Sequence, residues 1–335
     1  MPKKTIVTGG AGFIGSHMVE LLLKNGYEVI AIDNMANGQV DNIRIFEDDP
    51  RYKFHAIDLS KDFDDSLFNN VTYVFHMAAL ADIVPSVEEP VRYHYANVNG
   101  TVHVLEACRK YGIKKFVYAA SSSCYGIPDE YPTSENAGIR PQYPYAFTKY
   151  IGEQYALFWH KLYKIPVVSL RYFNVFGPRA RSNDTYGAVF KVFLSQKLYG
   201  LPLTIVGDGT QTRDFTYVTD AAKAALKVAE SDVNGEIINI GTGKPQSVNY
   251  LAQLIGGGTV NIPKRPGEPD STHADITKAK GLLKWEPEVT FEAGVKIMLD
   301  NIDYWKDSPI WDEKSIEKAT RNWFKYISDN GGKNS

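Results

Sequence analysis

The feature that most restricts this chain is the run Gly9-Gly10-Ala11-Gly12-Phe13-Ile14-Gly15, set between a β-branched stretch at 5–8 and an amphipathic stretch at 13–24. Glycines spaced three apart suit a strand-to-helix turn. Gly9 permits the tight bend, Gly12 lets a pyrophosphate approach the backbone, and Gly15 lets the helix pack closely on the strand. The positive end of the helix then faces the phosphates. The second strand ends in Asp33, roughly 20 residues further on, where a carboxylate accepts hydrogen bonds from ribose hydroxyls. That carboxylate repels a 2′-phosphate, and the segment Asn34-Met35-Ala36-Asn37-Gly38 holds no cation to offset it. NAD is therefore expected rather than NADP. Asp58, closing the third strand, is either an acceptor for the adenine amino group or a solvated loop carboxylate.

The first half alternates short β-branched runs with helical patterns, as a parallel, doubly wound sheet requires. Strands are expected at 5–8, 28–32, 53–57, 73–75, 115–119 and 167–170. Between them, Ile14, Met18, Leu21 and Leu22 share one helical side, and 91–111 is long enough for a single crossover helix. After about residue 172 the elements shorten and Gly, Pro and Arg become frequent, which predicts a smaller mixed α/β lobe on the carboxyl edge of the sheet. The expected division is 1–172 for the dinucleotide-binding domain and 173–330 for the second lobe, with room for segments that return to the first. No internal repeat is evident, and 331–335 reads as a frayed tail.

Thirty-seven basic against 39 acidic side chains leave a formal charge of -2, so no global field favours nucleic acid or anionic lipid. Only two cysteines occur, Cys108 and Cys124, outside any CxxC pair, which predicts neither a disulfide framework nor a metal site and fits a reducing cytoplasm. No apolar stretch approaches the roughly 20 residues that span a bilayer. A soluble, cytoplasmic protein is expected.

Tyr145 and Lys149 lie four residues apart, hence on one helical face. Ser121-Ser122-Ser123 follows the fifth strand, at the edge where open α/β sheets bind ligands. A phenol, with an ordinary pKa of about 10, is a poor base at neutral pH. A neighbouring Lys149 cation and a positive nicotinamide ring would both favour phenolate, making Tyr145 a general base. Ser121 could hold the reacting alcohol, and Lys149 could also anchor the nicotinamide ribose.

Seven motifs carry a family resemblance: TGGAGFIG at 8–15, HMAA at 76–79, NVNGT at 97–101, SSSCYG at 121–126, YAFTK at 145–149, RYFNVFGPR at 171–179 and RDFTYV at 213–218. Together they resemble the extended short-chain dehydrogenase/reductases of the nucleotide-sugar epimerase and dehydratase group. The resemblance implies a Rossmann-type NAD-binding domain, a nucleotide-sugar-binding lobe and a homodimer built from two helices of each subunit. It extends the cofactor pocket from Gly9, Gly12, Phe13, Ile14, Gly15, Asp33, Asn34 and Asp58 to Leu59, Ala78, Ala79, Asn97, Tyr145 and Lys149, although Asn97 also reads as a turn-former. To the substrate it assigns Ser86, Ser122, Ser123 and Asn174 near the sugar, Arg213 and Arg265 at the diphosphate, and Glu268 at the uridine ribose. Arg213 and Asp214 could instead form a local ion pair, and Arg265 a solvated loop charge.

Within the group, 4,6-dehydratases carry an Asp-Glu pair after the serine strand, and UDP-glucuronate decarboxylases tend to place a Glu there. Here that stretch is Ser121-Ser122-Ser123-Cys124, without a carboxylate for elimination chemistry. The resemblance therefore implies a UDP-hexose or UDP-N-acetylhexosamine 4-epimerase. The alternatives are a UDP-glucuronate 4-epimerase or decarboxylase, a 4,6-dehydratase, and a silent NAD-sensing module. Thr272 matches the family's gate beside the sugar C2 substituent and is small enough to admit an N-acetyl group. Arg179 and Arg181 could instead pair with a uronate carboxylate. The segment 311–327 extends past where many members stop and predicts a helix whose apolar face, with Ile316, Trp323, Phe324 and Ile327, packs on its own subunit or a neighbour.

Overall fold

The computed structural model describes residues 2–180, 188–264 and 266–327. Seven strands, β1 (Lys4–Thr8), β2 (Glu28–Asp33), β3 (Tyr52–Ala56), β4 (Tyr73–His76), β5 (Lys115–Ser121), β6 (Val167–Tyr172) and β7 (Glu236–Ile240), form one sheet in the order β7-β6-β5-β4-β1-β2-β3. All its pairings are parallel. The helices that matter below are α1 (Phe13–Lys24), α2 (Ile83–Glu88), α3 (Gly100–Tyr111), α4 (Pro144–Tyr163), α5 (Val189–Leu198), α6 (Val218–Glu230), α7 (Val248–Ile255), α8 (Phe291–Asp300) and α9 (Glu313–Ile327).

Neighbouring strand residues point to opposite faces, so a strand covered on both sides reads as a continuous apolar run. Val7 belongs to a core with Met18, Leu22, Val117, Leu170, Ala225 and Ile240, whereas Ile6 belongs to one with Ile32, Val74, Leu105, Phe116 and Ala156. A third core, around Phe190, Phe193, Leu203, Phe215, Leu251, Val295 and Trp305, lies in the C-terminal half. Its two-stranded pieces pair Leu203–Val206 with Thr259–Ile262, and Thr212–Arg213 with Gln246–Ser247.

The six expected strands are present, each within one or two residues of its expected bounds. The seventh, Glu-Ile-Ile-Asn-Ile, comes from beyond residue 172 and pairs with β6, while α6 packs onto the same sheet. The expected crossover helix over 91–111 is interrupted. A short helix, Pro90–His94, passes through one wide turn at Tyr95–Asn99, with i→i+5 spacing, before α3 begins. Such wide turns recur at functional sites, and this one carries Asn97.

Candidate active site

At the end of β1 the glycine loop is closed by sterics. Gly9 has φ +68°, and a Cβ there would lie 2.7 Å from the Ala78 nitrogen; a Cβ on Gly15 would lie 1.9 Å from the Gly9 carbonyl oxygen. Any side chain at either position would collide with the backbone that shapes the loop. Gly12 caps α1 without a side-chain hydrogen bond, and the first turn holds no acidic residue, so its N–H groups suit an anion. Across the loop, buried Asp33 accepts hydrogen bonds from the Ala11 N–H (3.1 Å) and the Met35 N–H (2.8 Å). Burial raises its pKa, and these backbone donors oppose the rise. A carboxylate has about four lone-pair positions, which leaves acceptor capacity for ribose hydroxyls. The loop and the acid thus fit a dinucleotide such as NAD.

Below the cradle, the Thr101 hydroxyl donates to the Asn97 carbonyl (2.7 Å) and so must accept from His76 Nε2 at 2.9 Å. His76 Nδ1 then accepts from the Thr8 hydroxyl (2.8 Å), which itself accepts from the Ala78 N–H (3.2 Å). This chain assigns the neutral Nε2–H tautomer, in line with burial pushing the His76 pKa down to about 3. It ties β1, β4 and α3 beneath Ala78. Asn97 is fully buried, accepting from the Leu80 N–H (2.8 Å) and donating to the Leu80 carbonyl and the Thr148 hydroxyl, both at 3.0 Å. Its amide therefore clamps the loop after β4 to α4, which the wide turn makes geometrically feasible. Asp58 anchors its own turn through the Ser60 N–H (3.1 Å) and hydroxyl (2.7 Å), and the Ser60 hydroxyl holds its pKa below the usual range. The Asn34 side chain likewise accepts from the Ala36 N–H (3.0 Å), and the buried Leu59 offers its carbonyl to His103 Nδ1 (2.9 Å).

The reactive cluster forms where β5 ends and α4 begins. Ser121 closes β5, and its hydroxyl accepts the Ser123 N–H at 3.2 Å. Pro144 at the first position of α4 starts the helix, so Tyr145 and Lys149 fall on successive turns of one face. Burial raises the Tyr145 pKa, opposed by a hydrogen bond with Ser121, while the Asp82 carboxylate reinforces the rise. Lys149 is 4% exposed, its Nζ 4.4 Å from the Tyr118 ring centroid. Burial lowers its pKa from 10.5 to about 7, and Glu153, one turn further along, opposes that loss. In the polypeptide alone, burial thus holds the phenol above its ordinary pKa, against the expectation that it is lowered. Lysine side-chain NMR should show one resonance titrating near pH 7 that vanishes in Lys149→Ala; titration near 10.5 would contradict the assignment. Because the native pKa lies below the unfolded one, the unfolded chain binds more protons between about 7 and 10.5, and this lysine's cost to the fold falls as pH rises through that window.

The candidate substrate residues surround this cluster. The buried Ser86 hydroxyl donates to the Ile83 carbonyl (2.6 Å) within α2, and Ser122 and Ser123 are half-buried after β5. The Thr272 hydroxyl accepts from the Asp214 N–H (3.0 Å) and donates to Asn174 Oδ1 (2.7 Å), so gate and sugar position form one unit. Arg213 lines a cleft of about 480 Å³ with Asp208, Gln211, Lys264, Glu268 and Asp270. Its Nη1 donates to the Thr212 carbonyl (2.9 Å) and its Nη2 lies 3.8 Å from Glu268 Oε2.

Three expectations need correction or qualification. Asp214 is organised for a different task than pairing locally with Arg213. Fully buried, it accepts from the Thr242 N–H (2.6 Å) and hydroxyl (2.5 Å), the Gly243 N–H (2.9 Å) and the Ala274 N–H (3.0 Å). Arg179 is engaged on α1 through Glu20 Oε2 (2.5 Å) and the Ser16 carbonyl (3.4 Å), which leaves it poorly suited to a sugar carboxylate. Arg181 and Arg265 lie outside the described residues. Sequence reasoning also overlooked Glu153, fully buried against Arg171, and Tyr143, whose ring lies parallel to Tyr145 at 6.4 Å and whose hydroxyl hydrogen-bonds with Ser123. The four-residue steps from Tyr145 to Lys149 to Glu153 were a readable signal for the first; nothing local marked the second.

Comparison with known proteins gives a consistent result. The profile of the NAD dependent epimerase/dehydratase family matches residues 5–241. A putative UDP-glucose 4-epimerase from Methanocaldococcus jannaschii is 42% identical over 300 residues, covering 87% of this chain and 95% of its own. Among solved structures, the UDP-N-acetylglucosamine 4-epimerase of Methanobrevibacter ruminantium M1, in complex with UDP-N-acetylmuramic acid, is 35% identical with a TM-score of 0.84, covering 90% of this chain and 99% of its own. The UDP-glucuronic acid 4-epimerase of Bacillus cereus, in complex with UDP-glucuronic acid and NAD, is 36% identical with the same TM-score and the same coverages. This chain therefore belongs to the NAD dependent epimerase/dehydratase family, as an NAD-dependent enzyme on a Rossmann-type α/β sheet.

Proposed function

We propose that the enzyme is a UDP-sugar 4-epimerase acting on a hexose uncharged at C6, either UDP-glucose/UDP-galactose or a UDP-N-acetylhexosamine. The observation carrying this reading is the Ser121–Tyr145–Lys149 cluster beside a stretch, 119–128, that holds no Asp or Glu. Tyr145 takes the proton of the C4 hydroxyl and later returns it, Ser121 orients that hydroxyl, and Lys149 sets the charge next to the phenol. Bound NAD supplies a reversible acceptor for the C4 hydrogen. The glycine loop, Asp33 and Lys149 would hold it, with Ala78 and Ala79 along its wall. Because both faces of C4 must meet one acid–base group, the diphosphate is gripped by Arg213 and Arg265 and the ribose by Glu268, while Ser86, Ser122, Ser123 and Asn174 hold the sugar loosely.

One observation favours an uncharged C6: Arg179 already pairs with Glu20. Incubation with UDP-glucose, UDP-N-acetylglucosamine and UDP-glucuronate, with products resolved by NMR, tests the reading. Exclusive turnover of the uronate, release of CO2, or a 4-keto-6-deoxy product would each overturn it.

Thr272 sets the breadth at C2. Thr272→Tyr should reduce kcat/KM for UDP-N-acetylglucosamine at least tenfold more than for UDP-glucose, by filling the space of the acetyl group. Thr272→Val, which loses only the bonds to Asp214 and Asn174, should affect both sugars alike. Equal losses in Thr272→Tyr would remove Thr272 from the gate.

In this reading residues 173–330 form most of the substrate lobe, and 218–240 return to the dinucleotide domain. A homodimer is supported by the exposed face of α4, where Tyr155, Phe158 and Leu162 recur at helical spacing beside exposed Val91 and Tyr95. Phe158→Asp should halve the mass measured by light scattering; an unchanged mass would place the interface elsewhere.

A further inference from the structure

Helix α9 roots one half of its apolar stripe in one part of the molecule and lays the other half on a different part. Ile316, together with Trp311 just ahead of the helix, belongs to the core of the C-terminal half. Trp323 and Ile327, two and three turns further along, pack instead against Val84 of α2 with Ile83, Val87 and Tyr143. Trp323 is 1% exposed. Its ring centroid lies 5.8 Å from that of Tyr143, which in turn stacks on Tyr145 and hydrogen-bonds with Ser123.

The same indole reaches the loop that carries Glu268. Trp323 Nε1 donates to the Pro266 carbonyl at 2.7 Å, and a Cβ on Gly267, at φ +72°, would sit 2.7 Å from Ile327 Cγ2. Asn322 Nδ2 donates to Glu88 Oε1 at the end of α2 (2.8 Å). One helix face therefore contacts α2 with Ser86, the ring that backs Tyr145, and the loop at Pro266 and Gly267.

We propose that α9 is a strap across the substrate site, and that Trp323 is a positioning residue holding the Pro266–Glu268 loop and the Tyr143–Tyr145 stack in mutual register. This rests on the nucleotide-sugar reading for what the site binds, but not for the strap itself. A rigid indole between two ligand-facing elements keeps them preorganised, so less ordering remains to be done when the nucleotide arrives. Trp323 touches neither the reacting atoms nor the cofactor cradle, which predicts an effect on nucleotide affinity separable from one on NAD.

Three full-length proteins test it: the parent, Trp323→Phe, and a control on the same helix, Lys318→Ala. Trp323→Phe keeps an aromatic ring against Tyr143 and loses the bond to Pro266. It should raise the Kd for UDP and the KM for UDP-sugar about fivefold, the effect of one hydrogen bond, with NAD affinity and kcat nearly unchanged. Lys318→Ala should match the parent throughout. Amide hydrogen exchange reads the strap without any ligand: exchange at 264–270 should accelerate in Trp323→Phe while β1, β4 and β5 stay protected. Unaltered exchange there, or equal UDP affinity in parent and Trp323→Phe, would overturn the strap. A parent that binds no UDP, with exchange at 264–270 accelerated as expected, would overturn the nucleotide-sugar reading and leave the strap standing.

Discussion

Replacement of Tyr145 by Phe should lower kcat by roughly 10²- to 10⁴-fold, the span expected when a positioned general acid–base group is removed. Little else should change. The ring still lies parallel to Tyr143 at 6.4 Å, and Pro144 still starts α4. Melting temperature and NAD retention should therefore stay at parental values, and KM for the sugar should shift only modestly. Steady-state kinetics at saturating UDP-sugar, together with a thermal melt, check this. A Tyr145→Phe enzyme turning over within a few-fold of the parent would remove the phenol from the chemistry, whereas a large drop in melting temperature would reassign Tyr145 to packing.

The second large effect is expected at Glu153. It lies 1% exposed and receives Arg171 Nη2 at 2.6 Å, Arg171 Nε at 3.0 Å and the Ser169 hydroxyl at 2.8 Å. Arg171, 2% exposed, is also stacked 4.8 Å from the Tyr125 ring centroid, in the short turn that follows Ser121. Glu153→Ala strands a buried guanidinium, and breaking such a pair costs about 3–5 kcal/mol. Replacing both partners with apolar residues removes the stranded charge, so Glu153→Ala/Arg171→Met should recover much of the stability lost in Glu153→Ala. Denaturant melts of the single and double variants check this. Because Glu153 opposes the loss of charge at Lys149, the lysine midpoint should also move below about 7 in Glu153→Ala. Unchanged stability together with an unchanged lysine titration would show that Glu153 serves neither purpose.

What could be read in the sequence was whatever has a fixed local spacing. The three-residue glycine rhythm of the cofactor loop, the four-residue step from Tyr145 to Lys149 and the strand-length apolar runs all follow from geometry within one element. Strand β7 escaped because 63 residues separate the end of β6 at Tyr172 from Glu236, and no local signal says which sheet a distant run will join. The wide turn at Tyr95–Asn99 escaped because its cause lies elsewhere in the chain, at Leu80 and Thr148, the partners of Asn97. Arg179 was misjudged for a related reason. An arginine after a Gly-Pro turn is an apt carboxylate partner, but the nearby carboxylate is supplied by Glu20 of α1, 159 positions away. Asp214 illustrates the converse, since adjacency to Arg213 suggested an ion pair while its oxygens gather N–H groups from 242, 243 and 274. Long-range hydrogen bonding is what a single chain read by itself conceals.

In the proposed reaction, C4 of a UDP-sugar is inverted by one acid–base group, its hydrogen leaving and returning to the same carbon. Proton NMR of UDP-glucose or UDP-N-acetylglucosamine incubated with the enzyme in D2O measures this directly. The expected product is the matching galacto-configured sugar at equilibrium, with C4 retaining protium and no deuterium at C5 or C6. Deuterium at C4, or a product altered at C5 or C6, would contradict it.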